Sequence, residues 1–214
     1  MNLVVFGASG ATGRHVVTLA AEAGHHVRAV VRAGSPAPVA GLRVEADVVD
    51  PASVAQAVRG ADAVVVCLGI SRRTRSPFAP LVSPPDLTSR AVAAIVAAMR
   101  DTGPRRIVHV SAFGAGDSWA RIPWWGRAFI RLGNVRHSIA DHGRCEEILA
   151  RSGLDWTALR PMMLDDAASD RPAREMMPAD SLLAKVPRVA LARTIVATLC
   201  DANAINRAIA LTAP

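Results

Sequence analysis

Tyrosine is absent from the 214-residue sequence, and lysine occurs only at Lys185. A phenol acid assisted by a nearby ammonium is therefore closed to any chemistry this chain performs. Cysteine is scarce as well. Cys67, Cys145 and Cys200 are scattered, odd in number and without metal-ligand spacing, which argues for reduced, mostly buried thiols in a cytoplasmic protein rather than a disulfide framework. No grouping of His, Cys, Asp and Glu along the chain has metal-site spacing, so no metal is expected. Hydrophobic residues make up 51% of the chain, yet no apolar run reaches the ~20 residues that span a bilayer. A membrane partner is therefore not expected. The N-terminus enters an apolar run with no basic leader or small-residue cleavage site, and no export signal is expected.

Acidic residues are outnumbered, which leaves a formal charge of +7. The basic residues are dispersed, however, and only Arg72-Arg73-Thr74-Arg75 forms a cluster. No basic run is interleaved with aromatics, so a nucleic-acid partner is not expected. The cluster reads either as a solvated loop or as a basic rim that attracts an anionic cofactor or substrate. Length suits one α/β domain over residues 1–214 with a sizeable core.

The strongest signal lies at the start. Leu3 to Phe6 is an apolar strand, Thr12 to Ala23 has helical spacing, and Gly7, Gly10 and Gly13 stand between them. Gly7 permits the tight turn, Gly10 lets a pyrophosphate approach the backbone, and Gly13 lets the helix pack close to the sheet. The amides around Ser9, Ala11 and Thr12, with the positive end of the helix dipole, then face the anion. This is the pattern of a dinucleotide-binding turn.

Beyond it the chain alternates strand and helix. His26 to Val31 forms a second strand that ends at Arg32 with no Asp or Glu. An acidic residue at that point bonds a ribose 2′-hydroxyl, whereas an arginine accommodates a 2′-phosphate. NADP(H) is therefore the expected cofactor, with Arg32 and Arg14 as its phosphate partners; the competing reading is an exposed loop arginine. Leu42 to Ala46 is a third strand, and Asp47 and Val48 at its end suit the adenine ring. Asp50 caps and Pro51 starts a helix reaching about Val58. Ala63 to Cys67 is a fourth strand followed by Leu68 and Gly69, where the cofactor can approach closely. A long Pro-, Ser- and Arg-rich loop leads to a helix over Leu87 to Arg100. The fifth strand, Arg106 to Val110, delivers Ser111, Ala112 and Phe113 to the carboxyl edge, where Ser111 either orients the nicotinamide or caps the strand end.

These stretches, with Ser152-Gly153-Leu154-Asp155-Trp156-Thr157-Ala158-Leu159-Arg160-Pro161, resemble an atypical short-chain dehydrogenase/reductase. Within that superfamily the chain is similar to the NAD(P)H-binding group containing biliverdin/flavin reductase and the NmrA-like proteins, from Asn2 to about Leu164. The resemblance implies a Rossmann-type, doubly wound parallel sheet, with Arg32 near the 2′-phosphate and Ser111 near the nicotinamide. Asp141 to Leu149 resembles that reductase's helix before the Ser-Gly-Leu turn. Ordinary members reduce carbonyls with a Tyr-x-x-x-Lys pair, which this chain lacks. The reductase carries a histidine after the proline of the sixth strand end; Met162 stands here instead, which argues against bilin reduction.

The second half concerns the acceptor. Trp119, Trp124, Trp125 and Phe129 form either an apolar platform for a planar ring or a cover or dimer contact. The Ile122 to Gly126 segment, with Arg127 and Arg131, is too short to be favoured as a membrane surface. His137 and His142 stand on a helix. His142 is a candidate proton donor if it faces the cleft; the alternative is a solvent-facing or capping histidine. Glu147 is placed to pair with Arg144 or Arg151. The sixth strand, Asp155 to Leu159, brings Pro161 to the nicotinamide half, with Met162, Met163 and Leu164 lining the acceptor side. Asp165 to Ser181 reads as a flap, Val189 to Cys200 as a terminal helix and Ala208 to Thr212 as a last strand that closes the sheet, the helix and strand together building a small C-terminal substrate-side lobe. The expected activity is hydride transfer from NADPH to a planar acceptor such as a flavin or quinone, by a monomer or homodimer. The alternative is a redox-sensing or partner-binding protein of NmrA-like type that reads NADP without chemistry.

Overall fold

The computed structural model describes residues 1–36 and 40–214. Its first strand, β1 (Asn2–Phe6), is flanked by β2 (His26–Val31) and β4 (Ala63–Val66), all parallel. Leu3 and Val5 point to one face of the sheet, and Val4 and Phe6 to the other; all four are fully buried. Burial on both sides is what makes this a continuous apolar run rather than an alternating one. Beyond β2 lies β3 (Leu42–Glu45), and beyond β4 follow β5 (Arg106–Val110) and β6 (Asp155–Pro161). The chain therefore winds outward from β1, crosses back at β4, and winds the other way. That reversal leaves a crevice at the carboxyl ends of β1 and β4.

Helices α1 (Gly13–Glu22) and α6 (Arg188–Thr198) pack together on one face, and α2 (Pro51–Val58), α3 (Leu87–Thr102) and α5 (Val135–Ala150) cover the other. A further helix, α4 (Trp124–Leu132), packs on α5. The capping expectation for α2 holds, since the Asp50 carboxylate accepts from the Ser53 amide at 2.8 Å.

The expected last strand is present: Arg207–Thr212 joins the main sheet parallel to β6. The separate lobe is not, because α6 packs on α1 and both elements belong to the main layers. Ile195 and Leu211 are buried in the main core, and that apolar burial holds both elements on the sheet. A second, two-stranded sheet pairs β7 (Met163–Asp165) with β9 (Lys185–Pro187), and the chain between them returns once to the main sheet. Within that chain β8 (Arg174–Glu175) runs antiparallel to β10 (Arg207–Thr212) at the sheet edge.

One helix start is finished by another helix. Asp86 precedes α3 but makes no side-chain cap bond. Instead the fully buried Asp141 of α5 accepts from the amides of Thr88 and Ser89, from the Ser89 hydroxyl and from Arg144. Arg144 is thereby taken up by Asp141, not by Glu147. Asp141→Ala should lower the unfolding free energy by about 2–3 kcal/mol, because it orphans two buried amides. Asp86→Ala should change it by less than about 0.5 kcal/mol; urea titration of both variants checks the contrast.

Candidate functional site

The turn after β1 is closed by backbone contacts that admit no side chain. Gly7 has φ +77°, and a Cβ there would lie 2.6 Å from the Cys67 carbonyl oxygen. A Cβ on Gly13 would lie 2.1 Å from the Gly7 carbonyl oxygen. The Gly10 amide donates to the Gly7 carbonyl and the Gly10 carbonyl accepts from Arg14. Among the described residues no acceptor is paired with the amides of Ala11, Thr12 or Gly13. Ser9, Gly10 and Ala11 are exposed. Free amides at an uncapped helix start, bare of side-chain bulk, fit a dinucleotide's pyrophosphate.

Arg32 follows β2 and is exposed, with no ion pair or hydrogen bond to its guanidinium among the described residues. Nearby Arg43 is occupied, by Glu45 and by the Ser35 carbonyl. Asp47 is exposed and its carboxylate accepts from the Val49 amide, which shapes the turn, while Val48 is buried beneath it. Leu68 is half-buried. Gly69 is exposed with open space where its Cβ would stand, so its glycine is required by no contact within the protein itself. Arg14 is exposed on the first turn of α1.

At the other half of the edge, Ser111 and Phe113 extend the ladder along β6, donating to the carbonyls of Leu159 and Pro161 at 2.7 and 3.0 Å. Ala112 is half-buried between them, and Phe113 and Pro161 are buried. The Ser111 hydroxyl donates to Glu146 Oε1 at 2.6 Å. Glu146 also accepts two bonds from Arg160, Nε to Oε1 at 2.8 Å and NH2 to Oε2 at 2.6 Å. Arg160 NH2 lies 2.6 Å from Asp117 as well. Burial works against the Arg160 charge, yet hydrogen bonds to Glu146 and Asp117 hold its pKa above the ordinary value. The Arg160 bond in turn lowers that of Asp117. Gly116, with φ +53°, makes room for this chain: its Cβ would stand 2.7 Å from both Arg160 NH2 and Glu146 Oε2. Sequence reasoning named Ser111 but missed Glu146 and Arg160. The signal present was the i, i+4 relation of His142 and Glu146, which puts both on the face of α5 that meets β5.

His142 is placed differently from a proton donor in a cleft, and also from a solvent-facing or capping residue. It is buried, with Nδ1 3.2 Å from Nε2 of the fully buried His109. Burial lowers the pKa of both imidazoles, that of His142 to about 4, so this pair is neutral at pH 7 and offers no acid to a substrate. Cys145 lies close enough that one donor atom from each of the three falls within 4.8 Å of the others. Spacing along the chain did not reveal that grouping. Burial raises the Cys145 thiol far above its usual range, and it remains a protonated, apolar filler. Cys200, by contrast, is exposed.

The aromatic segment also departs from a stacking platform. Trp119 is half-buried against Phe113, Ile122 and Met176, whereas Trp124, Trp125 and Phe129 are exposed. Met162 is half-buried between this cluster and the main core, and Met163 is exposed. Asp166 draws the long loop toward this region through ion pairs with Arg75 and Arg188 at 3.0 and 2.7 Å. A groove of about 710 Å³ between α3 and α5, lined by Asp86, Arg90, His137 and Arg144, shares no residue with the glycine turn or Ser111.

A parallel doubly wound sheet with an amide-lined glycine turn at its switch point defines a Rossmann-type nucleotide-binding protein. The model of the NAD(P)H-binding family matches residues 7–202, and the chain belongs to that family. It is 29% identical over 225 residues to the uncharacterised sugar epimerase YhfK of Bacillus subtilis, covering 99% of this chain and 94% of that protein. Its fold is similar to that of ChuY, an anaerobilin reductase from Escherichia coli O157:H7, with a TM-score of 0.79 at 23% identity over 100% of this chain and 98% of the other. A wide-type short-chain dehydrogenase/reductase from Veillonella parvula, solved with NADP, gives 0.71 at 17% identity over 100% and 94%.

The neutral histidine pair has a pH consequence. Unfolded histidine titrates near 6.5, and the folded pKa values lie below it. The unfolded chain therefore binds more protons below that pH, and stability present above pH ~6.5 is lost as pH falls toward ~4. The slope should reach up to ~1.4 kcal/mol per pH unit for each histidine. Denaturation midpoints of the native chain and of His142→Gln across this range check it; the variant should show the shallower slope.

Proposed function

We propose that this chain is an NADPH-dependent reductase that passes a hydride to a planar, conjugated acceptor of flavin or quinone type. What supports the cofactor half is Arg32, an exposed guanidinium with no partner among the described residues, at the end of β2, where this fold class reads the ribose. A 2′-phosphate offers it charge-assisted bonds that NADH does not. The chemistry a bound dihydronicotinamide supplies is a hydride. Around it, the amides of Ala11 to Gly13 hold the pyrophosphate. Ser111 has its proton committed to Glu146, which leaves its lone pairs to accept from a carboxamide N–H and so to orient the ring.

What the site does not offer selects the acceptor. The chain has no tyrosine, and His142 is buried and neutral. Chemistry on a sugar hydroxyl or simple ketone that relies on a phenol is closed to it. A conjugated ring delocalises the incoming charge and takes its proton from water, so positioning supplies most of the rate. Met162 in place of a histidine after Pro161 leaves a bilin without that polar contact.

The purified chain, given NADPH and a panel of flavins and quinones, should oxidise the nicotinamide well above background. Tight NADPH binding with no oxidation across the panel would assign it instead to NADP sensing. Arg32→Ala should weaken NADPH binding at least about tenfold while changing NADH binding little; calorimetric titration of both nucleotides checks this, and equal losses would remove Arg32 from the 2′-phosphate. Ser111→Ala should lower kcat with each acceptor while leaving NADPH affinity within about threefold, because the phosphate contacts are untouched.

A further inference from the structure

Helix α4 is turned inside out. At 100° per residue, Trp124, Ala128, Leu132, Trp125 and Phe129 form one contiguous face about 140° wide, and every one of them is exposed, Trp124 at 80% and Leu132 at 77%. The opposite face packs inward. Gly126 is buried, and a Cβ there would lie 2.9 Å from Ile122. Arg127 folds back to donate to the carbonyls of Ile122 and Ala120 at 2.6 and 2.7 Å. These contacts fix the helix's rotation, so its aromatic face cannot turn away from solvent. Phe78 extends the patch, edge-on to Phe129 with ring centroids 5.5 Å apart. Its loop is tied to the start of α5 by Val135 and Asn134, which donate to the Pro77 and Phe78 carbonyls.

The surroundings are positive. Residues 118–140 contain four arginines and residues 63–85 contain three, with no Asp or Glu in either stretch. Arg73, Arg121 and Arg131 are exposed without an ion-pair partner among the described residues; Arg121 and Arg131 lie over the rings of Phe113 and Trp119. Carboxylates on adjoining segments are engaged: Asp117 with Arg160, Asp166 with Arg75 and Arg188, and Asp141 with Arg144. Asp117 also feels the charge of Arg121, without a direct ion pair to it.

We propose that α4 and the Phe78 loop dock on an anionic lipid surface, with Trp124, Trp125, Phe129 and Leu132 entering the headgroup boundary and the flanking arginines meeting lipid phosphates. Tryptophan and arginine in this arrangement suit that boundary, where one side is apolar and the other wet and negative. A second copy of the chain fits less well, because pairing the patch with itself would set arginines against arginines. This proposal concerns the outer surface and does not rest on the reductase reading.

Co-sedimentation of the whole chain with vesicles tests it. Phosphatidylcholine mixed with phosphatidylglycerol should bind the chain, pure phosphatidylcholine should bind it far less, and binding should fall as salt rises. The double variant Trp124→Ser/Leu132→Ser should bind the mixed vesicles at least about tenfold more weakly. Arg121→Gln/Arg131→Gln should flatten the salt dependence. The proposal is overturned by absence of binding to the mixed vesicles or by undiminished binding of the double variant. A concentration-dependent dimer that the double variant abolishes, with no vesicle binding, would assign the face to a second copy.

Discussion

Removing a carboxylate from water costs several kcal/mol unless its oxygens are occupied, and Glu146 meets that condition by holding three elements together. It is 6% exposed. From α5 it takes the Ser111 hydroxyl at the end of β5 and the Arg160 fork at the end of β6. Arg160 then reaches Asp117 in the 3-10 turn that leads to α4. The carboxyl edge is thus fixed from below by charge, at the point where apolar packing gives way to the crevice. With the hydroxyl, fork and carboxylate all satisfied, the position of Ser111 is set before any ligand arrives.

The two ends of the crevice are built on different principles. At β1 the glycine turn is a matter of excluded volume, since the carbonyls of Gly7 and Cys67 stand where Cβ atoms would be. At β5 and β6 the arrangement is electrostatic and depends on paired side chains. The first tolerates no added atom, and the second does not tolerate loss of Glu146 or Arg160, because removing either leaves the other's buried charge behind.

Much of this was legible along the chain. The apolar run Leu3 to Phe6, the three glycines and the Asp50-Pro51 start of α2 each act through neighbours in sequence, so local rules suffice. The place of Arg32 in the fold, as the first residue past β2, was legible for the same reason. The buried groups of α5 were not. His142, Asp141 and Glu146 look alike as polar residues on a helix, and only packing against β5 and α3 decides that one becomes a neutral imidazole, one a remote cap and one the partner of Arg160. The orientation of α4 was hidden too, since a periodic apolar stripe states that a face exists without stating which way it points.

The cap supplied by Asp141 bears on the order in which the chain acquires structure. Thr88 lies 53 residues before the carboxylate that receives its amide. The first turn of α3 cannot be completed by anything close to it, because Asp86 makes no cap bond of its own. Residues through α5 must therefore be synthesised and docked on the sheet before that turn closes, and the loop closure this requires is an entropic barrier that local helix formation does not face. The pairing of β1 with β2 faces no such delay. The glycine turn, however, is closed by Cys67 after β4 and α1 packs on α6, while the Ser111 side awaits β6 and α5, so both ends of the crevice depend on segments far along the chain.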